Sequence, residues 1–237
     1  MSERISAYFV RSFSHLLLLS FISISVLQIV EGICPDARSI EPCTCDDEGL
    51  QCLRLDNDDE LQRVFSAEAQ RKAIRSVWIF QTNLTRLKRN AFGDYIIGEL
   101  SLDINKIDSV DEGAFGRASQ TLKILSLTRN KLTSFPFDVF KKMPRLNKFS
   151  LAHNQLATLP SGMKSDTLTH LDLTDNRITG ITPYTFYSMT DLQELYLADN
   201  KLKTIRSQAL RINSTKPIVS DDPIVLLTSY ILPDHLF

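Results

Sequence analysis

Several features that mark enzymes and nucleic-acid-binding proteins are missing from this chain of 237 residues. Only eight residues are glycine, and no glycine-rich phosphate loop, G-x-S-x-G turn or H-E-x-x-H metal motif occurs. Lysine and arginine (27) balance aspartate and glutamate (28), so the chain has no basic footprint for nucleic acid. We therefore predict a protein without catalysis, without a cofactor and without a nucleic-acid partner.

Long hydrophobic runs are also scarce. Residues 16–30 form an apolar run that is shorter than the ~20 residues of a spanning helix. Arg4 and Arg11 precede it, and a cut near Gly32 would complete a secretory signal peptide over residues 1–32. An uncleaved signal anchor is the less favoured alternative. No second run of that length follows, so we expect an extracellular, secreted protein without a transmembrane segment.

The string LxxLxLxxNxL recurs along the rest of the chain. It begins at residues 74, 97, 122, 146, 168 and 192, so the starts are 22 to 25 residues apart. The ninth position is asparagine in five copies, at Asn105, Asn130, Asn154, Asn176 and Asn200, and Thr82 takes it in the first copy. A repeat of this length and pattern is typical of leucine-rich repeats.

The spacing of the leucines predicts how the repeats pack. Positions 4 and 6 are two residues apart, so they point to one face of a short strand. One unit cannot bury that face alone, whereas stacked units share a continuous core. We predict an α/β solenoid over residues 74–213: an arc with a parallel concave β-sheet and a mostly irregular convex side. Phe92, Phe115, Phe140 and Phe186 share position 19, which predicts an aromatic spine on the convex side.

All four cysteines lie just before the repeats, at Cys34, Cys43, Cys45 and Cys52. A clustered, even set in a secreted chain predicts disulfide bonds, and the spacing does not suit zinc. The residues alone allow three pairings. We therefore predict that residues 33–73 form a disulfide-bonded cap and an irregular capping repeat. In that repeat Leu61, Val64, Phe65 and Ala69 have the spacing of one helical face.

The other end carries no comparable cap. Residues 214–237 contain three prolines and do not follow the repeat pattern. The tail could fold over the last repeat, a partner could cover it, or the sequence could be an incomplete version of a longer chain; we favour incompleteness. Asn83 and Asn213 begin N-x-S/T glycosylation sequons. The sequence does not indicate an oligomeric state.

The concave face is the candidate partner-binding surface. Its middle is small and polar, whereas the first repeat carries two aromatics that are either anchors for a partner or packed against the cap helix, the reading we favour. A His–Asp metal site is a weaker alternative to a plain polar surface, and we predict no metal site. The candidate binding residues are Trp78, Phe80, Ser101, Asp103, Arg129, Lys148, His153, His170, Asp172, Asp175, Tyr196 and Asp199.

Two resemblances add to these predictions. The cysteine cluster resembles the N-terminal cap of extracellular leucine-rich repeat proteins, which implies the pairs Cys34–Cys45 and Cys43–Cys52. Residues 34–210, with the segments Cys34-Pro-Asp, Pro42-Cys43-Thr-Cys45 and Leu50-Gln-Cys52, resemble arthropod secreted proteins named after the non-catalytic subunit of oplophorus-luciferin 2-monooxygenase. That resemblance implies a secreted scaffold for a protein partner. The alternative is a truncated ectodomain of a Toll-like receptor or matrix leucine-rich repeat protein.

Overall fold

The computed structural model describes residues 34–66, 73–205, 208–213 and 224–226. Its main feature is a sheet of nine strands whose order in space follows their order along the chain. The first pair is antiparallel and every later pair is parallel. The nine strands are β1 (Thr44–Cys45), β2 (Leu50–Cys52), β3 (Ala73–Ile79), β5 (Ile96–Ser101), β7 (Ile124–Ser126), β8 (Lys148–Ser150), β10 (His170–Asp172), β13 (Glu194–Tyr196) and β15 (Ile224–Leu226).

The opposite side of the repeats is built from short pieces. Three two-stranded sheets pair β4 (Arg86–Leu87) with β6 (Ser109–Val110), β9 (Lys164–Ser165) with β12 (Ser188–Met189), and β11 (Gly180–Ile181) with β14 (Thr204–Ile205). Two 3-10 helices span Gly116–Gln120 and Phe137–Lys142. The predicted fold class, a leucine-rich repeat solenoid with a parallel sheet and a mostly irregular convex side, is confirmed.

Burial follows the repeat pattern along each strand. In β7, Leu125 is completely buried, and so is Leu127 just after the strand, whereas Ser126 between them is half-exposed. The same alternation recurs in each later repeat, because the leucines of stacked repeats fill one shared core. The side chains between them form the outward face of the sheet.

The asparagines at position 9 join each repeat to the one before it. The Asn154 side chain donates to the carbonyls of Leu127 and Leu151, and it accepts from the Leu132 N–H. Asn130, Asn176 and Asn200 make the equivalent bonds in their repeats. Asn105 donates to the equivalent carbonyls, but its oxygen accepts from the N–H and the hydroxyl of Thr82. These amides pair backbone groups that would otherwise be buried without partners, as the pattern predicts.

The aromatic residues of the convex side form two groups of ring contacts rather than the single spine that we predicted. Phe92 stacks on Phe115 and also meets Phe65 of the cap. A second group surrounds Phe140. Phe186 is fully buried in a later repeat. The short repeat between those of Phe140 and Phe186 has no aromatic residue at position 19 and instead buries Met163, one position earlier.

The cap closes the first end of the core. Disulfide bonds join Cys34 to Cys45 and Cys43 to Cys52, the pairing that the resemblance implies. The cap has a short helix, α1 (Ala37–Ile40), and a longer one, α2 (Asp58–Ser66). The predicted apolar face of α2 is buried at Leu61, Val64 and Phe65; the fourth residue, Ala69, lies outside the described residues.

A strand from the tail lies at the other end of the sheet. β15 pairs in parallel with β13, and Val225 is the partner of Leu195. Part of the predicted non-repeat tail therefore covers the edge that the last repeat would expose. The predicted signal segment, residues 1–32, lies outside the described residues. None of the described helices is long and apolar enough to cross a membrane.

Candidate binding surface

The outward side chains of the sheet form one continuous surface, which we call the open face. It consists of positions 3, 5 and 7 of each repeat, with position 8 along its rim. Every candidate binding residue from the sequence lies on it and is at least partly accessible. The exposed ones are Arg129, Lys148, His153, Asp175 and Asp199; the half-exposed ones are Trp78, Phe80, Ser101, Asp103, His170, Asp172 and Tyr196.

The rim has an unusual backbone. Every position-8 residue has a positive φ between 49° and 57°: Gln81, Ile104, Arg129, His153, Asp175 and Asp199. This left-handed conformation turns the chain out of the strand just before the buried asparagine. It is uncommon for residues other than glycine, asparagine and aspartate, and it is a true outlier for a β-branched residue such as Ile104.

Apolar side chains gather at the cap end of the open face. Leu53 and Ile104 are each 46% exposed, and Trp78 and Phe80 between them are half-exposed. The Phe80 N–H donates to Cys52, the neighbour of Leu53, and the Gln81 N–H donates to Ile104. These bonds place the four residues in or just after β2, β3 and β5, which are adjacent strands roughly 4.8 Å apart. We call Leu53, Trp78, Phe80 and Ile104 the apolar patch.

Trp78 packs against the cap hairpin formed by β1 and β2. It is the partner of Gln51 in β2, and a Cβ atom added to Gly49 would lie 3.0 Å from its ring. The sequence favoured packing of this ring against the cap helix over a role as an anchor for a partner, and the cap element that the ring meets in the structure is the hairpin. The ring rests on the hairpin while one part stays accessible, so its position permits both roles.

The centre of the open face is a closed hydrogen-bond network. Asp103 accepts from the hydroxyls of Ser101 and Ser126 and from the Thr128 N–H, at 2.6 to 2.9 Å. The Thr128 hydroxyl continues the network to Ser150 at 2.8 Å. These groups bond to each other, so they hold the strands in register and leave few unpaired donors for a partner.

The far end of the open face is acidic. His153 Nδ1 lies 2.7 Å from Asp175, and His170 Nε2 lies 2.8 Å from Glu194. Glu194 also accepts a 2.5 Å hydrogen bond from the Tyr196 hydroxyl. That bond, together with burial and nearby negative charge, raises the pKa of Tyr196 above its ordinary value.

The two histidines do not share a site. His153 pairs with an aspartate on the next strand, whereas His170 lies between Glu194 and the hydroxyl of Thr169. Among the described residues, no group of three or more His, Cys, Asp or Glu side chains could hold a metal ion. The histidines therefore tie neighbouring strands together across the acidic end.

Sequence reasoning missed three residues of this surface. Glu194 bonds both His170 and Tyr196, and its place at position 3, directly beside His170 in register, was the available signal. Ile104 was passed over because nothing in its residue type points to a left-handed rim position. Leu53 was missed because the spacing of Leu50, Leu53 and Leu55 matches the start of a repeat, which would make Leu53 a core leucine. In the structure β2 instead pairs Leu50 with Val77, at position 4 of the first repeat, and Leu53 is exposed.

The two sequon asparagines are accessible. Asn83 and Asn213 are both exposed, and the Asn83 side-chain oxygen accepts a hydrogen bond from Lys106. Asn83 lies just past the first repeat's strand, beside the open face rather than within it. A glycan at this position has room, and its attachment stays a prediction.

The fold and the position-9 amides define the class of protein. A family model for leucine-rich repeats matches residues 97–161 and 166–212. The chain is a leucine-rich repeat protein with a disulfide-bonded N-terminal cap. A curated relative is the oplophorus-luciferin 2-monooxygenase non-catalytic subunit of Oplophorus gracilirostris, 29% identical over 135 residues. The match covers 54% of this chain and 38% of that protein.

A solved structure supports the fold. The chain resembles one in the crystal structure of the TLR13–ssRNA13 complex, with a TM-score of 0.51 and 22% identity. The match covers 66% of this chain and 25% of that one. At this identity the likeness concerns the solenoid fold alone. A solenoid presents an extended surface of side chains on a rigid sheet, which is consistent with protein binding.

Proposed function

We propose that this protein is a secreted, non-catalytic binding partner of another protein, which docks on the open face. The apolar patch carries the proposal. Ile104 and Leu53 are exposed aliphatic side chains on a surface that is otherwise mostly polar, and Ile104 adopts a backbone conformation that opposes its residue type. Every repeat imposes this conformation at position 8, so what sets Ile104 apart is an exposed β-branched side chain at a site that suits asparagine or aspartate.

The two ends of the open face suggest what the partner carries. At the cap end, the apolar patch suits an aliphatic or aromatic side chain of the partner. At the far end, Asp172, Asp175, Glu194 and Asp199 occupy outward positions, and no lysine or arginine occupies an outward position in their two repeats. A partner with an apolar anchor followed by basic residues would match both ends.

The relative's name supports the absence of catalysis. That name describes a non-catalytic subunit, and by analogy the partner here is the subunit that a scaffold of this kind would hold. This chain covers 38% of the relative, so its partner need not correspond to that of the whole relative. The two disulfide bonds favour an oxidising, extracellular compartment.

Affinity capture with matched variants tests the proposal. The glycosylated protein is immobilised and exposed to native extracellular fluid. The test variant, Leu53→Ser with Ile104→Asn, removes the two exposed aliphatic side chains of the patch. The control is Tyr184→Asn, because Tyr184 is 45% exposed and has a φ of 61°, like Ile104, but lies on the convex side.

We expect a protein that the wild type and the Tyr184 control capture equally and that the patch variant loses. Circular dichroism spectra of all three proteins check that the fold is unchanged. The proposal would be contradicted if the patch variant captured the protein as well as the wild type does. It would also be contradicted if the Tyr184→Asn control lost the captured protein as fully as the patch variant does.

A further inference from the structure

A groove of about 450 Å³ lies at the edge where the strands of the main sheet begin. Two rows of residues line it. The first row is the residue directly before each of the first four repeats: Ala73, Ile96, Thr121 and Arg145. The second row is position 2 of the first three repeats: Arg75, Gly98 and Lys123. The groove is therefore separate from the open face, which begins at position 3.

Gly98 leaves the middle of the groove open. It lies between Arg75 and Lys123, because β3 pairs with β5 and the Lys123 N–H donates to the Gly98 carbonyl. A Cβ atom at Gly98 would lie only 2.8 Å from the Arg75 carbonyl oxygen. The two cationic residues are thus two strand spacings apart, roughly 10 Å, with no side chain between them.

The positive charges of the groove are unpaired. Within the part of the chain that the structure describes, no carboxylate forms an ion pair with Arg75, Lys123 or Arg145. Lys88 and Lys142, on the convex side, do have such partners. Exposed lysines and arginines are often simply solvated. These three cationic side chains, however, line one groove that extends across four repeats.

The backbone of the groove is already satisfied. The Ile97 N–H donates to the Thr121 hydroxyl, which donates in turn to the Ile97 carbonyl. The strands run across the groove, so it offers no free edge to which an extended peptide could add. What remains for a ligand is a set of long cationic side chains and the apolar surface of Ala73 and Ile96.

We propose that this groove binds a sulfated or otherwise anionic glycan chain. Its acidic groups would meet Arg75, Lys123 and Arg145, and the carbon faces of its sugar rings would rest on Ile96. Asp47 of the cap also lines the groove and would repel an anion, so the ligand lies toward Lys123 and Arg145. The chain has a net charge of −1, so the attraction of an anionic ligand comes from the local charges of the groove and not from the protein as a whole. The proposal does not depend on partner binding at the open face.

Titration with a defined heparin oligosaccharide tests the proposal. The full secreted protein is measured by calorimetry at about 0.15 M ionic strength, with the same oligosaccharide after chemical desulfation as a second ligand. The groove variant is Arg75→Gln, Lys123→Gln and Arg145→Gln. The control variant is Lys131→Gln, Lys201→Gln and Lys203→Gln, which removes the same charge from exposed residues at the opposite edge. Vesicles containing phosphatidylserine test an anionic membrane instead.

We expect the wild type and the control to bind the sulfated oligosaccharide alike, and the groove variant to bind roughly tenfold more weakly or not at all. The desulfated ligand should bind none of them. Three results would overturn the proposal: no binding by the wild type, equal weakening in the control, or binding to the vesicles in preference to the oligosaccharide. Because all six substituted side chains are exposed, melting curves should coincide.

Discussion

The side-chain oxygen of Asn154 accepts a 3.0 Å hydrogen bond from the backbone N–H of Leu132, one repeat earlier. The same amide donates to two carbonyls, so a single buried side chain joins two repeats. Asn130, Asn176 and Asn200 make equivalent bonds to the repeats before them. These bonds make each repeat's turn depend on the side chain of the next repeat.

Replacement of Asn154 by alanine should therefore destabilise the fold strongly. It leaves the buried Leu132 N–H unpaired and removes the two donated bonds, for a total of about 3 kcal/mol. Asn200 makes the same set of bonds but is half-exposed, so Asn200→Ala should cost less, about 1 kcal/mol.

Chemical denaturation measures both losses, with Gln193→Ala as a control because Gln193 is exposed. Equal losses for the two asparagine variants would show that burial of the amide does not set its contribution.

Gly49 should be irreplaceable by alanine. A Cβ atom there would lie 2.1 Å from the Ser76 carbonyl oxygen, which is backbone and cannot move aside. The added methyl should push the cap hairpin away from β3 and expose the ring of Trp78. Because this is the only tryptophan in the chain, its fluorescence reports the change directly: the emission should shift to longer wavelength and acrylamide should quench it more.

Gly162 provides the control for that prediction. It also has a positive φ, 66°, but a Cβ atom there would meet nothing within 4 Å. Gly162→Ala should leave the Trp78 emission unchanged. If Gly49→Ala behaved in the same way, the close approach of the hairpin to β3 would be refuted.

The sequence predicted the parts of the fold that repeat. Leu125, Leu127 and Asn130 each have a counterpart in every later repeat, so their burial and bonding follow from spacing alone. The rim conformation of Ile104 did not follow, because its residue type argues against a left-handed backbone. Glu194 was missed for another reason: its two bonds depend on the orientations of long side chains, that of His170 on the neighbouring strand and that of Tyr196 on its own strand.

Ile104→Asn should make the protein more stable. Asparagine tolerates the left-handed conformation better than a β-branched side chain, which should gain about 1 kcal/mol. Ile104 is 46% exposed, so little packing is lost. Thermal unfolding should show a higher midpoint for Ile104→Asn, while Ile104→Val, which keeps the branched side chain, should match the wild type. A lower midpoint for the asparagine variant would mean that Ile104 stabilises the fold.

Glu194 should control the titration of Tyr196. The hydrogen bond that Tyr196 donates to Glu194 raises the pKa of the phenol above 10.0. Glu194→Gln removes the negative charge, so the pKa of Tyr196 should fall towards its ordinary value. Because the folded-state pKa is raised, the stabilisation is present below about pH 10 and is lost as the pH rises through the folded-state value.

Absorbance titration of the phenolate checks this, with Tyr196→Phe identifying the transition that belongs to Tyr196. Identical titration curves for the wild type and Glu194→Gln would rule out the bond as the cause.

The central claim is that a protein partner docks on the open face over the apolar patch, and Trp78 lies within that patch. The most direct test is to add the captured partner, once purified, to the full protein and follow the fluorescence of this tryptophan. We predict emission at shorter wavelength and reduced quenching by acrylamide, because the half-exposed ring becomes buried. A partner that binds while both properties stay unchanged would contradict the claim.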